Sequence, residues 1–138
     1  RRVLETVCMD KDCASFPRGI ETPIGEGGQR LSGGQQARIA LARTLFHHCP
    51  LLILDDPFAA VDMATEKQIY TNLRRDYKNS IILLISHRLA LFPHLDQVIW
   101  LNGNGSAMVS THDKLYHEQP EYRRLYDLQH AKGGGRHA

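Results

Sequence analysis

The chain has 138 residues, 42% of them hydrophobic and 23% charged, and seventeen Lys and Arg against fifteen Asp and Glu leave a net charge of +2. That is one domain's worth of chain with material for one core, and the near-balance of charge excludes a strongly basic nucleic-acid tail or an acidic disordered one. No apolar run approaches the roughly 18 residues of a bilayer span, no signal peptide opens the chain, and a start at Arg1-Arg2 instead of Met leads us to expect a processed or excised piece.

In chain order, residues Val3 to Met9 predict a short helix, which Asp10, Lys11 and Asp12 interrupt. Pro17 to Gly28 holds two prolines and four glycines and predicts an extended loop. Ser32 and Gln35 then have capping-box spacing, with Ser at the N-cap and Gln three residues on. A helix follows to about His47. Ala37, Ala40, Leu41, Thr44 and Leu45 form one apolar stripe, and Ile39, Ala42 and Phe46 a second, so the helix is expected to be largely enclosed. Leu51 to Leu54, between Pro50 and Asp55-Asp56-Pro57, predicts a buried strand. Thr65 to Tyr77 predicts a helix capped by Thr65 with Gln68, its buried side formed by Ile69, Leu73 and Tyr77. Ile81 to Ile85 is a second buried strand and Gln97 to Leu101 a third. Asn102-Gly103-Asn104-Gly105 makes a turn, and Ala107 to Val109 returns as a hairpin. Thr111 caps a brief helix through Tyr116, Glu121 to Gln129 forms a last helix, and residues 131–138, with Gly133-Gly134-Gly135, are expected to form a flexible tail.

The two β-branched or Leu runs suggest a parallel sheet covered on both faces. Such a sheet needs more strands than this chain offers. It is therefore expected to be the second half of an α/β domain, with apolar strand edges and faces open to aggregation or to a covering partner, a domain swap or upstream residues.

Cys8, Cys13 and Cys49 are odd in number and fit no disulfide or metal framework, which points to reduced thiols. Eight histidines are scattered, and the adjacent pair His47-His48 lacks companions at ligand spacing except Cys49.

Three stretches carry chemistry. Asp55-Asp56 ends a buried strand, where open α/β sheets bind ligands and where a rigid carboxylate suits Mg²⁺ on a nucleotide; a strand-terminating turn is the other reading. Leu31-Ser32-Gly33-Gly34-Gln35 places two glycines at a capped helix start, which suits an anion or is a well-capped helix and no more. His87, in Ser86-His87-Arg88 after the second strand, suits a phosphate or an attacking water, or is structural.

Taken together and in order, these stretches resemble the nucleotide-binding domain of ABC transporters. Leu31-Ser32-Gly33-Gly34-Gln35 is similar to that family's signature motif, Leu51-Leu52-Ile53-Leu54-Asp55 to its Walker B strand, Pro57-Phe58-Ala59-Ala60-Val61-Asp62 to its D-loop region and Ser86-His87-Arg88 to its H-loop. Gly25-Glu26-Gly27-Gly28 and Thr111-His112-Asp113-Lys114-Leu115 look like the exporter branch. The resemblance spans roughly residues 1 to 130. It implies an α/β fold: the C-terminal part of a P-loop NTPase-like ATPase domain, a mostly parallel sheet flanked by helices, plus part of the helical subdomain. Residues 1–46 would be that helical part, 47–130 the ATPase core and 131–138 the tail.

The resemblance also implies roles. Asp55 would hold Mg²⁺ through water on ATP. Asp56 stands where the family usually has Glu, the residue that polarises the attacking water, and His87 would contact the γ-phosphate and that water. Asp62 would act across a dimer. Ser32, Gly33, Gly34 and Gln35 would meet ATP held by a second nucleotide-binding domain, closing head to tail. The other implied partner is a transmembrane domain, at the cytoplasmic face of a membrane; no nucleic acid is implied. The sequence lacks a G-x-x-x-x-G-K-[ST] loop, so the chain alone is expected to be inactive as an ATPase. Asp is one methylene shorter than Glu, which sets its carboxylate about 1.5 Å back and suggests a weakened site in a heterodimeric exporter, or a homodimer that works adequately with Asp. Ala60 replaces the D-loop's usual Ser. Two alternatives stand beside the exporter: a soluble ABC-type ATPase of DNA repair, chromosome organisation or translation, and a non-catalytic structural or regulatory module.

Overall fold

The computed structural model describes residues 1–133. The chain divides into two units, one from Arg1 to Ser86 and the other from His87 onward.

The first unit begins with α1 (Arg2–Thr6) and α2 (Asp10–Ser15). One helix was expected here; the chain instead turns at Cys8, whose φ of 56° is left-handed, and starts a second helix on the charged stretch. Asp10 and Asp12 lie in the first turn of α2, where carboxylates favour the helix dipole, so the residues expected to end a helix begin one. The loop that follows contains a 3₁₀ turn at Gly19–Glu21 and a tight turn that brings Gly28 against Pro23.

Helix α3 (Gly33–Leu45) is capped as expected. Its enclosure is not: Leu41, Ala42 and Leu45 are buried, while Phe46 just beyond it is 72% exposed. Each of the two predicted stripes is thus buried only in part: Leu41 and Leu45 of the first and Ala42 of the second face the core, while Ala40, Thr44 and Phe46 are exposed. Helix α4 (Met63–Asp76) buries Ile69 and Leu73, with Tyr77 at its C-cap buried as well. Its N-cap is Asp62, not Thr65: the Asp62 carboxylate accepts from the Thr65 N–H at 2.9 Å. Asp outranks Thr at this position because its oxygens are charged acceptors.

Helix α1 packs against α3 and α4. The Asn72 amide donates to the carbonyls of Glu5 (3.2 Å) and Thr6 (3.1 Å), which satisfies acceptors at the end of α1. The Tyr77 hydroxyl donates to the Leu45 carbonyl at 2.6 Å and ties the ends of α3 and α4 together. The Asp76 carboxyl accepts from Arg2, Thr6 and Arg75, and the Arg75 guanidinium first, with Thr6 and Arg2, holds it well below the usual carboxylate range.

Strands β1 (Leu51–Asp55) and β2 (Ile81–Ile85) pair in parallel, Leu51 opposite Ile81 through Asp55 opposite Ile85. Side chains alternate across a strand, so Leu52 and Leu54 are buried on one face. The other face carries Leu51, Ile53, Ile81, Leu83 and Ile85, all exposed, Ile81 by 71%. The parallel pair agrees with the expected sheet and the open apolar face with the expected exposed faces, but the expected burial of Ile81–Ile85 does not hold: its residues alternate exposed and half-buried, because the described residues pack against one face of the pair only.

The second unit contains a 3₁₀ turn at Phe92–His94, β3 (Val98–Leu101) and β4 (Ala107–Ser110), paired antiparallel as the predicted hairpin, then α5 (His112–Glu118) and α6 (Pro120–Gly133). Thr111 caps α5 as expected. Leu89, Phe92, Val98, Leu115 and Tyr122 form its core. His112 is buried and its Nδ1 lies 2.8 Å from the Tyr122 hydroxyl. Helix α6 continues through Gly133, into the segment expected as tail; the rest of that tail, residues 134–138, lies outside the described residues.

Candidate functional site

Four of the sequence-predicted residues form the start of α3. Ser32 has an extended backbone, its hydroxyl accepts from the Gln35 N–H at 3.2 Å, and the Gln35 Oε1 accepts from the Ser32 N–H at 2.9 Å. Both halves of the capping box are thus made. Ser32 and Gly33 are exposed, so the helix start presents backbone N–H groups to solvent. Gly34 lies against the loop that follows β1: a Cβ there would come within 2.9 Å of the Ala60 carbonyl oxygen, and one on Gly33 within 3.7 Å of the Ala60 Cβ. No side chain fits at position 34 without moving backbone. The spacing of the two motifs in sequence gave no hint of this contact.

Two more residues stand at the end of β1. Asp55 is exposed and continues the strand, its backbone held opposite Ile85. Asp56 is half-buried with a left-handed φ of 44°, a conformation Asp tolerates better than most residues. Its N–H donates to the Ile85 carbonyl at 2.8 Å, and its own carbonyl accepts from the Ala59 N–H at 3.3 Å. The chain therefore leaves the sheet at Asp56 in a turn anchored on both sides. Phe58 and Val61 are buried beneath this turn and pin it to the unit.

Asp62 ends the same loop as the cap of α4. The Thr65 N–H, first among its hydrogen bonds, lowers the Asp62 carboxyl below its ordinary value. Sequence reasoning singled out Asp62 for an intermolecular role and missed the local one. The signal was present: an Asp three residues before Thr65, ahead of an apolar-periodic run.

His87 is exposed and opens the second unit, two residues after β2 in the chain. Gln129 of α6 donates through Nε2 to the His87 carbonyl at 2.7 Å and accepts through Oε1 from the Leu89 N–H at 2.8 Å. One amide thus brackets the backbone on both sides of Arg88. A residue 42 positions away had no local signal to mark it.

No group of three or more His, Cys, Asp or Glu among the described residues is arranged to hold a metal by itself. Mg²⁺ in nucleotide sites takes one or two carboxylates and completes its shell with phosphates and water. An exposed Asp55 on a strand end fits that mode, and a closed protein cage is not required. Likewise, no described helix is long and apolar enough to cross a membrane.

The family pattern described as ABC transporter matches residues 7–59. A probable multidrug resistance ABC transporter ATP-binding/permease protein, YheI of Bacillus subtilis, is 39% identical over 121 residues, which is 88% of this chain and 21% of that protein. An ATP-dependent lipid A-core flippase of Bordetella avium is 38% identical over 115 residues, 83% of this chain and 20% of that protein. Among solved structures, a bacterial Atm1-family ABC exporter with ATP bound superposes with a TM-score of 0.83 at 29% identity, covering 93% of this chain and 23% of the other. The chain spans about a fifth of the length of the curated relatives it matches.

Proposed function

We propose that this chain, which belongs to the ABC transporter family, is the C-terminal part of its nucleotide-binding domain and so part of the motor of an exporter that couples ATP hydrolysis to transport across a membrane. Residues 1–46 belong to the helical subdomain and 47–130 to the ATPase core. Asp55 and Asp56 serve the nucleotide site on this domain, and His87 has the role of contacting the γ-phosphate and the attacking water. Ser32, Gly33, Gly34 and Gln35 serve the site of a second nucleotide-binding domain, and Asp62 acts between the two. The membrane partner is a transmembrane domain, and the chain works at its cytoplasmic face.

The observation that carries this reading is the seam between Gly34 and Ala60. It joins the glycine-rich helix start to the loop leaving the acidic strand end, so both chemistries are built into one unit. A helix start with exposed N–H groups binds anions, and a strand-end carboxylate binds Mg²⁺ through water. When bound, Mg²⁺ neutralises charge on the β- and γ-phosphates. The chain's own residues contribute orientation: the β1–β2 ladder fixes Asp55, and the anchored turn fixes where Asp56 sits relative to it.

Asp56 makes this domain's own site the slower one. A carboxylate set back by about 1 Å or more from a general base's position costs on the order of 10²-fold. The partner's site, completed by the signature residues here, is the faster one, as in a heterodimeric exporter. The chain by itself lacks a phosphate-cradling lysine loop and is inactive alone.

The direct test measures MgATP hydrolysis by the assembled transporter with the partner's site blocked, comparing Asp55→Asn with wild type, and sets both against the isolated 138-residue chain. The expected result is loss of this site's turnover in the variant and none in the isolated chain. Wild-type hydrolysis by the variant would remove Asp55 from the mechanism.

A further inference from the structure

The start of α3 is held from outside by one carboxylate that no motif marks. Asp12, on α2, accepts through Oδ1 from the Gln35 Nε2 at 2.7 Å and through Oδ2 from the Arg38 Nη1 at 2.9 Å. The ion pair is sheltered, with 14% of the Arg38 side chain and 27% of the Asp12 side chain exposed. Each bond has a charged member, and such bonds are the stronger kind.

The consequence for Gln35 is orientational. A side-chain amide has a donor end and an acceptor end, and it can flip. With Nε2 committed to the Asp12 carboxylate, Oε1 faces the Ser32 N–H, where it accepts at 2.9 Å. Asp12 therefore selects the orientation in which the capping box closes. Arg38 carries the constraint further: its Nε donates to the Gly34 carbonyl at 3.3 Å, and its Nη1 donates also to the Cys8 carbonyl at the left-handed turn between α1 and α2. One carboxylate thus sets a side chain at position 35 and, through Arg38, the peptide that follows Gly34.

We propose that Asp12 is a positioning residue for the glycine-rich start of α3, fixing Gln35 and the Gly34 peptide so that this helix start meets nucleotide phosphate in one geometry. It acts through Gln35 and Arg38 and touches no nucleotide. This inference rests on the functional reading above. Ground-state placement of an anion site affects binding before chemistry, so its removal raises KM for ATP more than it lowers kcat.

The test is a steady-state comparison of the assembled transporter with Asp12→Asn, Asp12→Ala, Gln35→Ala and the double variant Asp12→Ala/Gln35→Ala. Losing both charge-assisted bonds in Asp12→Ala is expected to raise KM for MgATP about tenfold. Asp12→Asn keeps one acceptor oxygen and is expected to raise it about threefold. Adding Gln35→Ala to Asp12→Ala changes KM little further, because the pair acts as one unit. Should Asp12→Ala fail to fold, Asp12→Asn carries the test, together with amide hydrogen exchange on the assembled transporter: the Ser32 and Gln35 amides exchange faster in Asp12→Asn than in wild type. An unchanged KM in Asp12→Asn with unchanged exchange at these amides overturns the proposal, as do Asp12→Ala and Gln35→Ala effects that simply multiply. Asp55→Asn separates the two levels. With the partner's site blocked, lost hydrolysis in Asp55→Asn with wild-type KM in Asp12→Asn sinks only the Asp12 role, whereas retained hydrolysis in Asp55→Asn sinks the functional reading itself.

Discussion

The start of α3 and the end of β1 lie in the same unit, and both are expected at a nucleotide, yet they are held by different means. The start of α3 is fixed by side chains: Ser32 and Gln35 bond reciprocally, Asp12 grips Gln35 and Arg38, and Arg38 reaches back to the Gly34 carbonyl. The end of β1 is fixed largely by backbone, through a parallel ladder to β2, the Asp56 N–H on the Ile85 carbonyl and a left-handed turn, with Phe58 and Val61 buried beneath it. A geometry specified by side chains is vulnerable to single substitutions throughout its network. A geometry specified by backbone tolerates side-chain change, so Asp56 can differ from the family's usual Glu without disturbing the strand that presents it.

That contrast predicts its largest effect at Asp56. Because backbone sets the turn, Asp56→Glu is expected to leave the fold intact and to raise hydrolysis at this site on the order of 10²-fold as the carboxylate moves forward. Turnover measured with the partner site blocked checks this, and an unchanged rate means the Asp was already well placed. Asp56→Asn is expected to change total ATPase little, since this site contributes little to it.

The next effect breaks the seam between the two regions. In Gly34→Ala the new methyl meets the Ala60 carbonyl oxygen at 2.9 Å, which is backbone and cannot rotate away. The strain is expected to cost about 1–3 kcal/mol, read as a lower denaturant midpoint. A stability equal to wild type would show that the loop at Ala60 yields freely and that the two regions are mechanically separate.

The smallest effect distinguishes the two helix caps by charge. Ser32 caps α3 with a hydroxyl, while Asp62 caps α4 with a carboxylate whose folded pKa is lowered by the Thr65 N–H. A lowered carboxylate pKa contributes stability that is present above the unfolded value of about 3.9 and is lost as pH falls through the folded value. Corrected hydrogen-exchange protection at the Thr65 amide is therefore expected to decline as pH drops below about 4. Asp62→Asn, which caps without titrating, is expected to flatten that dependence; an identical decline in Asp62→Asn would assign the acid sensitivity elsewhere.

Local pattern accounts for much of what was read in advance. The capping box at Ser32, the strands at 51 and 81 and the hairpin at 98–110 all follow from periods and turn residues that act within a few positions. Where local signals competed, the sequence misled. Asp10 and Asp12 looked like breakers because they interrupt an apolar pattern, but acidic residues also begin helices. Phe46 completed a plausible second stripe on α3, yet of that stripe Ala42 is buried and Phe46 is exposed. The order of four motifs was sufficient for the family, since the resemblance rests on residue identity and spacing alone.

By itself, then, the sequence determined most element types, the cap of α3 and the family, and it singled out the residues proposed for phosphate and Mg²⁺ chemistry. These depend on neighbours in the chain or on motif order. Only the tertiary structure decided that Gly34 abuts Ala60, that Asp12 holds Gln35 and Arg38, and that Gln129 brackets Arg88. Each joins residues more than twenty positions apart, where no periodicity or turn rule acts. Such pairings come from how helices and loops pack, and a side chain's hydrogen-bond partner is chosen only once that packing has brought it within about 3 Å.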